Sequence, residues 1–196
     1  RYALGDANDS ASYRQEIVAY FAFRGWSDEI QQHRRISELA HQYYNLEDWP
    51  NLHNILLDFE AFNYLYNVNV QLLAKYWRAL IMVDSKQYRL SDYLHISLQL
   101  EDISVAVHLN NIGLFVFNYF AEYETAMDYY QKVLEIREKI LGTEHVDTAI
   151  SYNNVGTLYD AKDDYVKALE YYEKALTIRK KALGEEYLLT AQSYHN

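Results

Sequence analysis

Ile150-Ser-Tyr-Asn-Asn-Val-Gly156 and Tyr171-Tyr-Glu-Lys-Ala-Leu-Thr-Ile-Arg-Lys-Lys-Ala-Leu-Gly184 each have a near-copy upstream. The earlier versions are Val107-His-Leu-Asn-Asn-Ile-Gly113 and Tyr129-Tyr-Gln-Lys-Val-Leu-Glu-Ile-Arg-Glu-Lys-Ile-Leu-Gly142. The first block returns after 43 residues and the second after 42, so the earlier copy holds one extra residue between its blocks. Self-similarity at this period marks a helical solenoid, in which each unit buries its apolar face only against its neighbours. Such folds mostly bind other macromolecules, so a protein-interaction module is expected.

Within the second copy the apolar spacing predicts two antiparallel helices. Helix A carries Tyr152, Val155, Leu158 and Tyr159; helix B carries Tyr165, Ala168, Leu169, Tyr172, Ala175, Leu176 and Ile178. Small residues at Gly156, Ala168 and Ala175 allow a close approach, with Ala161–Asp164 as the turn. Gly142 and Gly184 follow the last apolar residue of each helix B, where a positive-φ position ends a helix. Asp147 is the expected N-cap of the second helix A. In the first copy, Phe117-Asn-Tyr-Phe-Ala-Glu122 reads as an aromatic turn that packs on preceding helices or forms a docking patch.

The series Tyr152, Val155-Gly156, Tyr159, Tyr165, Ala168, Tyr172 and Ala175 resembles the tetratricopeptide repeat, and the long period with Ala-Leu-x-Ile-Arg-x-Lys-x-Leu-Gly resembles the repeats of kinesin light chains. Where that family continues His-Pro-Asp, this sequence has His145-Val-Asp147 and Tyr187-Leu-Leu189, so the loop after helix B departs from the pattern. Upstream, Ile36, Leu39-Ala40, Tyr43, Trp49, Leu52 and Leu56 give a weaker echo. Tyr13–Phe21, Arg34–His41, Leu46–Trp49 and Tyr76–Leu80 resemble the stretch between the NTPase module and the repeats of nephrocystin-type STAND proteins. The resemblances imply an all-α, right-handed tetratricopeptide superhelix preceded by an irregular helical arm. The expected divisions are a tail or linker at 1–11, a helical arm at 12–100, and at 101–196 two full repeats with the start of a third. Breaks are expected at Phe23–Ser27, Leu46–Pro50 and Ser85–Asp92, with Ser91 or Asp92 capping the helix that follows.

The formal charge of the 196 residues is −10, and the longest basic runs are Arg34-Arg35 and Lys180-Lys181. A nucleic-acid ligand needs a basic stripe, so none is expected, and a neutral or basic peptide is the more natural partner. No stretch reads as long and apolar enough to enter a membrane. There is no cysteine, which is compatible with a cytoplasmic location. No phosphate-binding glycine loop or His-Glu-x-x-His is present, so no cofactor, metal site or enzymatic activity is expected, and any NTPase module of the same native polypeptide would lie outside this sequence. His41 and His53 fall on neighbouring predicted helices, a pair more ordinary than a metal site. Asp163-Asp164 and Glu185-Glu186 read as solvated turn carboxylates, and Glu135, Arg137, Glu138 and Lys139 as a solvated helix face.

In tetratricopeptide superhelices the A helices line the concave groove, with a ligand-facing place three residues before the motif glycine. That place holds Asn110, Asn153 and, at its third occurrence, His195. Amide side chains both donate and accept, which suits the backbone of an extended peptide. Leu114 and Thr157, then Phe117 and Asp160, lie further along the same faces and would form side-chain pockets. Asn111 and Asn154 are expected to bond between helices. The implied function is a non-catalytic scaffold for a protein or peptide partner, either as the sensor arm of a STAND-type NTPase or as a stand-alone kinesin-light-chain-like cargo adaptor.

Overall fold

The computed structural model describes residues 15, 18–19, 29–97 and 102–183. Among these, the helices are α1 (Glu29–Asn45), α2 (Trp49–Leu56), α3 (Phe59–Val83), α4 (Asp92–Ser97), α5 (Ile103–Phe120), α6 (Tyr123–Leu141), α7 (Val146–Ala161) and α8 (Tyr165–Leu183). No strand occurs among the described residues. The chain divides into two compact units, residues 1–89 and 90–196. The expected tail at 1–11, the break at Phe23–Ser27, the cap at Gly184 and the opening of a third repeat lie outside the described residues.

In the first unit, α1 and α2 form the helix pair anticipated by the weak echo, with Leu39, Ala40, Leu52 and Leu56 buried. The chain turns between them through Glu47, whose φ of 57° lies in the left-handed region. Asp48 caps α2 by accepting from the Asn51 amide at 3.4 Å, and Pro50 occupies the first turn, where its missing N–H costs no helical bond. The second helix of the pair is short. Asp58 interrupts it by accepting from the Ala61 amide at 2.8 Å, which starts α3.

Helix α3 is itself two helical segments meeting at Asn69, which has φ −157° and ψ 76°. The Asn69 carboxamide accepts from the Leu72 amide at 3.0 Å and so caps the second segment. Phe62, Leu65, Leu73, Tyr76, Trp77 and Leu80 are buried along one side of α3. Burial, with Tyr44 and Glu38 nearby, pushes the Tyr76 phenol up to about 12.

In the second unit α4 starts at Asp92, with Ser91 before it accepting from the Leu94 amide through its carbonyl. Helices α5 and α6 form one antiparallel pair and α7 and α8 the next. The residue that is extra in the first copy enters helix A rather than its turn. α5 runs seven residues past Gly113 and α7 only five past Gly156, and the first turn is the shorter one, with Ala121 at φ 54°. The expected aromatic turn at 117–122 is therefore mostly the last turn of α5. Its rings pack locally: Phe115 lies 5.5 Å from Tyr119 and 5.4 Å from Phe120, and Phe117 lies 5.7 Å from Tyr123.

Two further expectations are corrected. Helix α7 is capped by His145 rather than Asp147: the His145 Nδ1 accepts from the Asp147 amide at 3.1 Å, which places Asp147 inside the first turn. Helix α5, with 18 residues and a mean hydropathy of 1.3, is long and apolar enough to cross a membrane by that measure. Its apolar run contains Asn110 and Asn111. Val105, Ala106, Leu109, Ile112, Phe115 and Val116 of this helix are buried in the fold. Gly142 does close α6 with φ 89°, a backbone region that side chains with a Cβ rarely adopt.

Tyr129 ties the start of this unit together. Its hydroxyl donates to the Leu90 carbonyl at 2.5 Å in the buried core. Burial foremost, then Asp92, pushes its phenol well above the usual 10, and burial with the bond to Glu138 does the same for Tyr152. Above the ordinary tyrosine range the unfolded chain loses these protons while the folded chain keeps them. Their stabilisation is therefore complete below pH ~10 and falls as pH rises past it. Urea titrations at neutral and alkaline pH should show this decline. Tyr129→Phe should reduce it and lower stability at neutral pH by about 1–3 kcal/mol, because the Leu90 carbonyl loses its partner.

Candidate peptide groove

The faces expected to line a groove are set by the contact between α7 and α8. A Cβ at position 156 would stand 2.8 Å from two ring carbons of Tyr172 and 3.3 Å from the Ala168 carbonyl oxygen. Only glycine leaves room for that ring, and the first copy repeats the arrangement with Gly113 beneath Tyr130. With Val155, Gly156 and Leu158 turned into the core, the helical period directs Asn153, Thr157 and Asp160 to another face of α7. Asn110, Leu114 and Phe117 take the corresponding places on α5.

Asn110, Leu114, Phe117, Asn153 and Thr157 are half-buried, and Asp160 is exposed. The two rows are linked across the repeats: Asn154 donates through Nδ2 to Asn110 Oδ1 at 2.8 Å. Asn154 thus bonds between helices as expected, and its partner is the residue assigned to the ligand. The bond engages the Asn110 oxygen and leaves its amide N–H donors to point elsewhere. The Thr157 hydroxyl donates to the Asn153 carbonyl at 3.0 Å and accepts from the Tyr172 hydroxyl at 3.3 Å. Phe117 is in ring contact with Tyr123. His195 lies outside the described residues.

The joint between repeats depends on a residue that the sequence reading misplaced. Arg137 is buried rather than on a solvated face. One guanidinium N–H group donates to the Asp147 carbonyl at 3.0 Å and to Ser151 Oγ at 2.8 Å, fastening α6 to the start of α7. Burial lowers its pKa, and Asp147 opposes that shift. Glu138 is also engaged, accepting from the Tyr152 hydroxyl, and Thr148 Oγ1 donates to the Gly142 carbonyl at 2.8 Å. Charge alternation concealed this role. The signal was recurrence: Arg137 and Ser151 return together as Arg179 and Ser193.

Elsewhere, a hollow of about 570 Å³ is lined by Thr143, Glu144, Tyr152, Glu173, Lys174 and Ile178 among others, and by none of the expected groove residues. No group of three potential metal ligands occurs among the described residues. The His53 ring stacks edge-on with Trp77 at 5.6 Å and Tyr88 at 5.0 Å, while His41 is exposed.

Residues 104–181, which span α5 to α8 almost completely, match the tetratricopeptide repeat family. The described residues thus fold as an all-α helical solenoid, and the tetratricopeptide match is carried by residues 104–181. Among solved structures, BtubC (BKLC) from P. vanneervenii is similar at 24% identity and a TM-score of 0.48, over 95% of this chain and 78% of that one. The kinesin light chain nearly identical TPR-like repeats of Podosopora anserina are similar at 17% identity and a TM-score of 0.44, over 90% of this chain and 88% of that one. No curated protein matches the sequence.

Two substitutions test the scaffold. Gly156→Ala should destabilise the protein by about 1–3 kcal/mol, since the Tyr172 ring must move and the helix-propensity gain is smaller. Arg137→Ala should cost about 1.5–3 kcal/mol through the loss of two charge-assisted bonds. Urea unfolding followed by circular dichroism measures both.

Proposed function

We propose that this protein is a non-catalytic interaction scaffold whose α5–α7 face binds an extended segment of a partner protein. The observation that supports the reading is that Asn110 on α5 and Asn153 on α7 take equivalent half-buried places, with Asn154 donating to Asn110 across the repeats. A pair of carboxamides held in fixed register meets the alternating carbonyl and N–H groups of an extended backbone. Leu114 and Phe117 supply apolar contacts on one side; Thr157 and Asp160 supply polar ones on the other. The net charge of −10 favours neutral or basic peptides through electrostatic steering.

Two settings suit such a scaffold. In the first it is the sensor arm of a STAND-type NTPase, supported by the resemblance of residues 12–80 to the pre-repeat segment of those proteins. In the second it is a stand-alone adaptor of the kinesin-light-chain kind, supported by the 42-residue spacing of the repeats. The intact mass of the native polypeptide, and any ADP or ATP released on its denaturation, distinguish them. A much larger protein with stoichiometric nucleotide supports the first; a smaller one without nucleotide supports the second.

Groove binding itself is tested with a library of extended peptides and fluorescence anisotropy. Asn110→Ala and Asn153→Ala should each weaken a bound peptide by about 1–3 kcal/mol, roughly 5- to 150-fold, without changing the circular dichroism spectrum. Unchanged affinity in both variants would remove these residues from the site.

A further inference from the structure

The hollow of about 570 Å³ lies where α8 meets α7 and the loop before it, and Tyr152, Glu170, Glu173, Lys174 and Thr177 are among its lining. At its edge the Lys174 ammonium stands over two tyrosine rings, 4.9 Å from the centre of Tyr171 and 5.9 Å from that of Tyr152. The face of an aromatic ring is negative and attracts a cation. Glu170 lies one turn before Lys174 on the same helix, at a spacing that favours an ion pair. Yet among the described residues no ion pair engages Lys174, Glu170 or Glu173. The rings hold the ammonium that the carboxylate could have taken.

The first copy is built differently at the same places. Lys132 pairs there with Glu135 at 3.1 Å. Leu109 stands in the place of Tyr152, and Tyr129, in the place of Tyr171, is fully buried. In the second copy Thr177 replaces Glu135, so the lysine has lost its carboxylate, and Tyr171 is only half-buried. Helices α5 and α6 pair without these changes. What the changes create is a cation seat, with two rings at the edge of a hollow and carboxylates on its wall.

Charge identifies the occupant. Glu144 is taken up by Lys181 at 2.6 Å, and Glu138 accepts from the Tyr152 hydroxyl. Glu170 and Glu173 remain against Lys174 alone, two carboxylates to one ammonium, on a chain of net charge −10. A cation brought by a partner meets the complementary charge. A guanidinium fits better than an ammonium, since its plane stacks on a ring while its N–H fork meets a carboxylate.

We propose that this hollow binds an arginine side chain of a partner protein, stacked on Tyr152 and Tyr171 and bonded to Glu173. Lys174 is the internal placeholder that the arginine displaces, and Glu170 receives its ammonium. None of the α5–α7 residues assigned to peptide binding lines the hollow, so the site does not depend on that reading.

The probe is the blocked tripeptide acetyl-Gly-Arg-Gly-amide, titrated into the 196-residue chain at fixed low salt and followed by NMR of labelled tyrosine and threonine. The ring signals of Tyr152 and Tyr171 and the methyl signal of Thr177 should shift and saturate. The citrulline counterpart, which keeps the shape without the charge, should leave them in place. Lys174→Met should tighten binding about two- to fivefold by removing the placeholder, and Glu173→Gln and Tyr171→Leu should each weaken it by about the same factor. Lys174 and Glu173 are exposed, so their variants test the site without disturbing the fold. The proposal is overturned if the arginine peptide moves none of these signals in either the native chain or the Lys174→Met variant. It is overturned as well if citrulline binds equally, if Glu173→Gln leaves the affinity unchanged, or if Lys174→Met weakens binding. Binding of acetyl-Gly-Glu-Gly-amide in place of the arginine peptide would also overturn it, because Lys174 would then be the ligand-binding group of an anion site.

Discussion

The ring of Tyr172 occupies the space that any side chain at position 156 would need. That contact sets how closely α8 approaches α7, and the same contact between Tyr130 and Gly113 sets α6 against α5. Close packing fixes each helix rotationally as well as in distance, since the glycine must face the ring. Once that face is buried, the asparagine rows have only the remaining surface available. The candidate groove is thus a consequence of where two glycines lie.

Stacking one pair on the next is a polar matter. Arg137, Thr148 and the Tyr152–Glu138 pair bond α6 and its following loop to α7, while Asn154 reaches back to α5. Around them Ala149, Tyr152 and Ala175 form an apolar cluster flanked by Leu134, Tyr171 and Ile178. The apolar contacts supply most of the attraction, whereas directional bonds are satisfied at only one register. The buried guanidinium is costly to desolvate, so the stability it contributes depends on both of its hydrogen bonds being made. By contrast, the exposed Lys181–Glu144 pair at 2.6 Å is of a kind that contributes little.

The first unit follows related apolar spacing to a different result. Its side-chain caps at Asp48, Asp58 and Asn69 repeatedly end and restart helices, so α2 has only 8 residues against the 19 of α6 and α8. Short Asp and Asn side chains compete for backbone N–H groups and favour such starts. Aromatic packing compensates for the broken helices: Trp77 is fully buried, and Tyr44 lies 5.2 Å from Tyr76.

The helix pairs of the second unit were legible in the sequence because period, glycine placement and apolar spacing are local properties that recur in both copies. So was the break before α2, where Leu46–Pro50 carries both a cap and a proline. The start of α7 and the end of α5 were misjudged, since His145 took the cap role through its ring nitrogen and the aromatic residues after Phe117 continued the helix. Arg137 could not be placed by charge pattern, because its burial depends on α7 lying across it, and its partners stand 10 and 14 residues away. The sequence by itself determined that repeating helix pairs form and that Gly113 and Gly156 face the partner helix, for these follow from side-chain volume and the helical period. Only the tertiary structure decided that Asn110 pairs with Asn154 and that Arg137 is a joint, since each depends on how α7 lies against α5 and α6.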